Sequence, residues 1–325
     1  MAQFVMHRIL GATTGKYWDR AKLAFWNIVR RVLVKNGDPL ICSEVCGFPL
    51  QMPLSHDLPL ILRLFPRFAS NLGRIAKAIE TKYPELTCID IGANIGDSVA
   101  VLRERLELPV LCIEGDMEFF EILKKNMRQF KGISLANLFI GDPHKQMHGS
   151  VQKQHGTAGI LTDEGTGHTI PLHGLAEVLD QFPAFTRSKL IKIDTDGFDC
   201  IIIRSSAEVL KTLRPVLFFE YFPHLLFKQG DDGISVFHAL QSLGYQGALL
   251  YDRTGEFMFS ELLSNERFIN ELHGYFTDPD GLRHCDLCVF HREDFDLFEK
   301  LRSDELLVFK AFHTLSKSNI ESKTK

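Results

Sequence analysis

The sequence predicts an α/β fold organised on a mostly parallel sheet, on three observations. From about residue 85, short apolar runs alternate with helix-length amphipathic segments, the rhythm of βαβ units. One run, Cys88-Ile89-Asp90-Ile91, passes straight into Gly92-Ala93-Asn94-Ile95-Gly96-Asp97, a glycine turn that opens a helix. Four of the predicted strands finish in acids: Asp90, Glu114, Asp194 and Glu220.

Taken in order, the chain begins with a basic segment. Residues 1–35 carry Arg8, Lys16, Arg20, Lys22, Arg30, Arg31 and Lys35 against Asp19 alone, a local charge of +6. Within it Trp18, Ala21, Phe25, Ile28, Val29 and Val32 form one helical stripe, opposite Asp19, Arg20, Asn27, Arg30 and Arg31. Leu23 and Trp26 stray from that stripe. The expectation is a cover helix packed on the main domain by its apolar stripe. The sharper alternative is a basic amphipathic face over residues 17–35 that meets an anionic membrane surface or a glycolipid carrier. Residues 36–70 read as irregular, punctuated by Gly37, Pro39, Gly47, Pro49, Pro53, Pro59 and Pro66.

A helix is expected over 68–82, followed by the alternating region. Strands are predicted over 87–91, 109–114, 133–140, 190–194, 216–221, 246–251 and 287–291. Between them lie helices over 96–106, 117–128, 200–213 and 234–243. Residues 316–325 are polar and read as a frayed tail. The division that follows is a helical extension over 1–80, a main domain over 81–300, and a C-terminal helix with its tail over 301–325.

Composition bounds the function. With 325 residues, 45% hydrophobic and 24% charged, the chain reads as an ordinary soluble globular protein. A net charge of −4 gives no reason to expect nucleic acid as a partner. The seven cysteines are scattered and odd in number, Cys88 and Cys112 inside apolar runs, so a reducing, cytoplasmic compartment is expected rather than a disulfide framework. No signal-peptide pattern opens the chain and no apolar run is long enough to span a bilayer.

The turn after residue 91 carries the chemistry. Glycines let the backbone approach a ligand closely, but the spacing is G-x-x-x-G, with Asn94 where a dinucleotide fingerprint wants a second glycine. Asp90 at the strand end would repel a pyrophosphate and attract an ammonium or sulfonium. S-adenosylmethionine carries both cations. Asp90, Gly92, Ala93, Asn94 and Gly96 are therefore the expected cofactor-binding turn. Glu114 ends the next strand, where a carboxylate accepts hydrogen bonds from ribose hydroxyls. Asp142, after the third strand, is placed to accept from an adenine amino group, though a plain turn explains it equally well. Asp116 is expected to cap the following helix, and Asp196 and Asp199 read as turn and cap residues. His284-Cys285-Asp286-Leu287-Cys288 hints at zinc, but a strand there would point its two thiols to opposite faces, which favours buried thiols.

The blocks DIGANIGDS (90–98), IEGD (113–116), LIKIDTDGFD (190–199) and RPVLFFEYFP (214–223) resemble those of FkbM-type S-adenosylmethionine-dependent methyltransferases. The resemblance covers roughly residues 85–255. It implies a Rossmann-like seven-stranded methyltransferase sheet, here with an N-terminal helical extension, and methylation of a hydroxyl oxygen on a sugar or polyketide. Asp116 stands where the pattern has proline, and Thr195-Asp196 replaces a Val-Glu.

Methyl transfer is an in-line displacement, so the protein must position the acceptor oxygen and exclude water. An alcohol is a poor nucleophile at neutral pH, so a base or a metal is expected to help. Asp194 and Glu220 are the candidates for either task, as base or as oxygen ligands to Mg²⁺, with Asp194 alone and His224 as further options for the base. The expected acceptor is a sugar or glycan-like hydroxyl, and a homo-oligomer is compatible with the sequence. The rival readings are a nicotinamide-dependent oxidoreductase and a non-catalytic scaffold that binds the cofactor.

Overall fold

The computed structural model describes residues 1–12, 17–154, 156–162, 168–278 and 280–323. Its main sheet has eight strands: β1 (Cys88–Ile91), β2 (Val110–Ile113), β3 (Ile133–Ala136), β4 (Leu190–Ile193), β5 (Val216–Tyr221), β6 (Tyr245–Asp252), β7 (Phe257–Leu262) and β8 (Cys285–His291). They lie in the order β7-β6-β8-β5-β4-β1-β2-β3. The pairings among β3, β2, β1, β4 and β5 are parallel, while β8 is inserted antiparallel between β5 and β6. All seven expected strands are in this sheet. The eighth, β7, pairs antiparallel with β6 and closes the edge.

The pleat sorts the side chains into two cores. Ile89, Ile91, Leu111, Ile113, Ile191, Ile193, Leu217 and Phe219 pack on one face under the helices Asp199–Ser205, Ala207–Leu213, Ser235–Ser242 and Glu266–Phe276. Cys88, Val110, Cys112, Leu190, Val216 and Phe218 pack on the other, under Ser70–Lys82, Asp97–Arg103 and the start of Phe295–Lys323. Consecutive strand residues alternate between the two, as a doubly covered sheet requires. Cys285 and Cys288 obey the same rule. Both are buried, in opposite cores.

Two expected elements are divided. The third apolar run breaks after Ala136, and Phe139–Ile140 pairs instead with Leu172–His173. The helix over 200–213 breaks at Ser206 into two short helices. Between β3 and β4 a three-stranded sheet forms from Met147–Gln154, Thr157–Thr162 and His168–Ile170.

The extension over 1–80 is not all helical. Leu40–Val45 and Phe48–Pro53 make an antiparallel hairpin, and Leu58–Leu64 is a short helix. Leu50, Met52 and Leu54 bury against Ile95, Ala100, Phe119 and Ile122 of the main domain. Asn126 joins the two, accepting from Gln51 N–H and donating to the Gln51 and Ile95 carbonyls. The helix Tyr17–Lys35 forms as expected, but its rotation is the reverse of the expected one. Arg30, expected on the outer face, turns inward and donates to the carbonyls of Leu54, Ser55 and His56 and to the Asp57 carboxylate. Those carbonyls need a donor, and a guanidinium satisfies several at once. The expected contact stripe of Ala21, Phe25, Ile28 and Val32 consequently faces solvent. The side chains of Trp18 and Asp19, and residue Lys16, lie outside the described residues, as do residues 324–325 of the expected frayed tail. The helix preceding that tail runs to Lys323.

Candidate functional site

Two cavities open at the carboxyl end of the parallel strands, one toward each face of the sheet. The first is lined by Ile91 and Gly92 after β1, Ile113, Glu114 and Gly115 after β2, and Asp194, Thr195 and Asp196 after β4, with Leu138, Phe139, Ile140, Met147 and Leu172 as an apolar wall. The second, of about 380 Å³, is lined by Lys192, Asp194, Phe218, Glu220, Arg253, Thr254, His284 and Asp286, with Asp97 and Ser98, and with Phe65 and Phe68 from the N-terminal extension. Asp194 belongs to both.

The first cavity is built on the glycine turn. Gly92 has φ +80°, and a Cβ there would lie 1.9 Å from the Asp194 carbonyl oxygen, so only glycine lets β1 and β4 end side by side. The Gly92 and Ala93 N–H groups donate to the Ile113 carbonyl, and Asn94, also at positive φ, donates its N–H to Glu114 Oε2 at 2.8 Å. The Asp116 N–H donates to Glu114 Oε1 at the same distance, so the carboxylate is clamped by two backbone donors. Each oxygen keeps a lone pair for a ligand hydroxyl. Burial pushes Glu114 up to about 7 despite those donors. Asp116 caps the helix Met117–Met127, accepting from Glu118 and Phe119 N–H, as expected.

Of the other expected cofactor residues, four lie elsewhere. Asp90 is buried on the opposite face of the pleat, where it is the register partner of Lys192, whose Nζ is 3.2 Å from it and 3.3 Å from Asp194. Burial works against the Lys192 charge, but Asp90, Asp194 and Asp97 more than offset it and keep the ammonium protonated. Ala93 is in the core, and Gly96 makes room for Met127 and Leu123. Asp142 lines a separate groove beside Arg204 and Asp231 and takes the His144 N–H.

Among the described residues no basic side chain lines the first cavity, while Glu114, Asp194 and Asp196 do. Such a lining suits an adenosine ligand carrying positive charge and is hostile to a pyrophosphate, which needs donors or cations. Its size, about 70 Å³, is below the ~300 Å³ lower range of ligand-filled pockets. The strands Met147–Gln154 and Thr157–Thr162 lie across it: Lys153 pairs with Asp116 and Glu118, Gly156 accepts from the Asn94 side chain, and Thr157 bonds Asp196. Opening that cover is the motion a ligand would require.

In the second cavity Glu220 and His284 approach, Oε1 to Nε2 at 3.7 Å. Burial, reinforced by Asp194, Asp199 and Asp196, raises the Glu220 carboxyl well above its ordinary range. Burial and then Arg253 lower the His284 imidazole, which is neutral at pH 7 and free to accept a proton or hydrogen bond. Asp286 is the register partner of Glu220 across β5 and β8. His224 lines neither cavity; its ring lies beside Phe222, which stacks with His284 at 4.8 Å. His284, Arg253 and Asp286 were not singled out for this site from sequence, because only the antiparallel insertion of β8 brings 284–286 beside β5. Among the described residues no group of three His, Cys, Asp or Glu side chains is arranged to hold a metal ion.

Residues 90–246 match the model of the methyltransferase FkbM domain, just under half of the chain. No curated protein matches the sequence. Among solved structures, a methyltransferase FkbM from Methylobacillus flagellatus KT is similar over 87% of this chain and 58% of its own, at 13% identity and TM-score 0.38. TYW2 of M. jannaschii in complex with AdoMet is similar over 78% of this chain and 86% of its own, at 10% identity and TM-score 0.35. A precorrin-6y C5,15-methyltransferase from Geobacter metallireducens GS-15 is similar over 63% and 78%, at 12% identity and TM-score 0.33.

Proposed function

We propose, from the premise that residues 90–246 are an FkbM methyltransferase domain, that the chain moves a methyl group from S-adenosylmethionine to a hydroxyl of a sugar or glycan-like acceptor. The observation that carries this reading is Asp194, the acidic residue shared by the two cavities. A donor held on one side and an acceptor on the other meet there.

The cofactor, when bound, supplies a methyl on a sulfonium whose leaving group is a neutral thioether. The chain's own residues supply position and proton handling. Glu114 accepts from the ribose diol, and the apolar wall of Leu138, Phe139, Ile140 and Leu172 receives the adenine ring. Asp194 and Asp196 counter the positive charge. On the acceptor side, Phe65, Phe68 and Phe218 offer aromatic faces to the C–H surface of a sugar ring, and Arg253, Thr254 and His284 offer hydrogen-bonding groups to its hydroxyls. Ionised Glu220, beside His284, takes the one hydroxyl proton as the oxygen attacks, a contribution of roughly 10²–10⁴-fold for a positioned base. With no three-ligand group among the described residues, no step is assigned to Mg²⁺.

The acidic lining, the missing glycine at Asn94 and, among the described residues, the absence of a basic lining residue in the cofactor cavity stand against a nicotinamide dinucleotide. The test is incubation with methyl-labelled cofactor and fractionated cell-surface glycans. The expected result is label in a carbohydrate fraction, recovered as an O-methyl sugar after hydrolysis. Label confined to protein, lipid tails or nucleic acid overturns the acceptor class.

A further inference from the structure

We infer that the outward face of the helix Tyr17–Lys35 is a docking surface for an anionic lipid bilayer. This helix shows solvent its apolar side: Phe25 is 56% exposed, Ile28 58% and Val32 54%, with Ala21 and Ala24 between them. At 100° per residue these five positions form a band along the helix. Exposed Arg20 and Arg31 flank the band on one side and exposed Lys22 on the other, and exposed Lys35 closes it at the C-terminal end of the helix. Residues 20–35 contain no acid. Phe4 of the helix Ala2–Ala12, half-exposed and packed edge-on to Trp26 at 5.6 Å, extends the apolar surface, with the Arg8 guanidinium 4.8 Å from its ring.

The rotation is held, not incidental. Arg30, on the inner face, makes four hydrogen bonds to residues 54–57, so the helix cannot roll its apolar band inward without breaking them. An apolar band flanked by cations is the pattern of a helix lying in the headgroup region, its apolar side chains entering the acyl boundary and its cations meeting lipid phosphates. Charge selects the bilayer over an ordinary protein partner and also orients the molecule. Residues 1–35 carry +6 and the remainder −10, so an anionic surface attracts this pole and repels the rest. No helix among the described residues is long and apolar enough to cross a membrane, so the helix lies on the surface rather than through it.

The full chain is sedimented with phosphatidylcholine vesicles and with phosphatidylcholine–phosphatidylglycerol vesicles at low and high salt. Binding to the anionic vesicles alone, weakened by salt, is expected. Replacing Phe25, Ile28 and Val32 together by serine should abolish it, and Arg31→Gln with Lys35→Gln should weaken it roughly fivefold per charge removed. Both variants should keep the thermal midpoint and cofactor affinity of the parent, because every changed side chain is solvent-facing. No binding to anionic vesicles overturns the proposal, as does full binding by the serine variant. A parent that is a stable dimer, converted to monomer by the serine variant, also overturns it by giving the face to a second copy.

Discussion

Glu114→Gln isolates the proposed ribose contact. Both carboxylate oxygens are held by backbone N–H groups at 2.8 Å, from Asn94 and from Asp116, so the side chain enters the site in one orientation. Glutamine keeps that shape but replaces one acceptor oxygen with an NH₂, which faces a backbone donor and can no longer accept from a ribose hydroxyl. A hydrogen bond to a charged group is worth ~1.5–3 kcal/mol. Since ~1.4 kcal/mol is tenfold in affinity, the variant should bind S-adenosylmethionine roughly 10- to 150-fold more weakly. The product, S-adenosylhomocysteine, shares the ribose and should lose a similar factor. Glu114 in the free protein sits at about 7, and the carboxylate is the stronger acceptor, so binding below that value must first release a proton. Parent affinity should therefore rise about tenfold between pH 6 and pH 8, and the variant's should not. Isothermal titration calorimetry in buffers of different ionisation enthalpy reads both the affinity and the released proton. Unchanged affinity in a folded Glu114→Gln protein would refute the ribose assignment.

Two further outcomes concern stability. Lys192→Met removes the cation that pairs with the fully buried Asp90 and with the exposed Asp194, and should cost ~3–5 kcal/mol in urea unfolding because Asp90 is left buried and unpaired. Adding Asp90→Leu should restore most of it, and a single-variant cost below ~1 kcal/mol would show the pair to be unimportant. Burial holds His56 down at about 4 against an unfolded value near 6.5, so between those values the unfolded chain binds a proton the folded chain refuses. Stability is thus lost as pH falls through this window, by ~2 kcal/mol at pH 5 relative to pH 7.5. His56→Asn should remove that share of the pH dependence, and an identical slope in the variant would contradict it.

The sheet was legible in sequence because its strands are short, apolar and bounded by turn residues, and all seven expected ones pair in it. The extra edge strand Phe257–Leu262 escaped because Ser260 and Glu261 interrupt its apolar pattern, its outer face being wet. The hairpin Leu40–Val45/Phe48–Pro53 escaped because its prolines read as punctuation, although each sits on a two-stranded ribbon where a missing N–H is tolerated. Glu114 and the glycine turn were readable as the floor of a cavity, since strand end and turn are local features. Asp90 was not, because its partner Lys192 lies a hundred residues on and only the β1–β4 register reveals the pair. Likewise His284 reads in sequence as part of a cysteine cluster, and the β5–β8 pairing is what sets it against Glu220. The helix Tyr17–Lys35 shows the limit of amphipathic reasoning: its period was right, while four hydrogen bonds of Arg30 chose the buried face.

The most direct measurement compares Glu220→Gln with the parent in single-turnover methyl transfer to a confirmed acceptor, alongside cofactor affinity. Glu220 lines the acceptor cavity and not the cofactor cavity. The division of labour at Asp194 therefore predicts cofactor affinity within about twofold of the parent and a methyl-transfer rate at least ~10²-fold lower. The parent's rate should also climb with pH as the raised Glu220 carboxyl ionises, a dependence the variant lacks. Full-rate transfer by the variant, or loss of cofactor binding in its place, would contradict the two-cavity account.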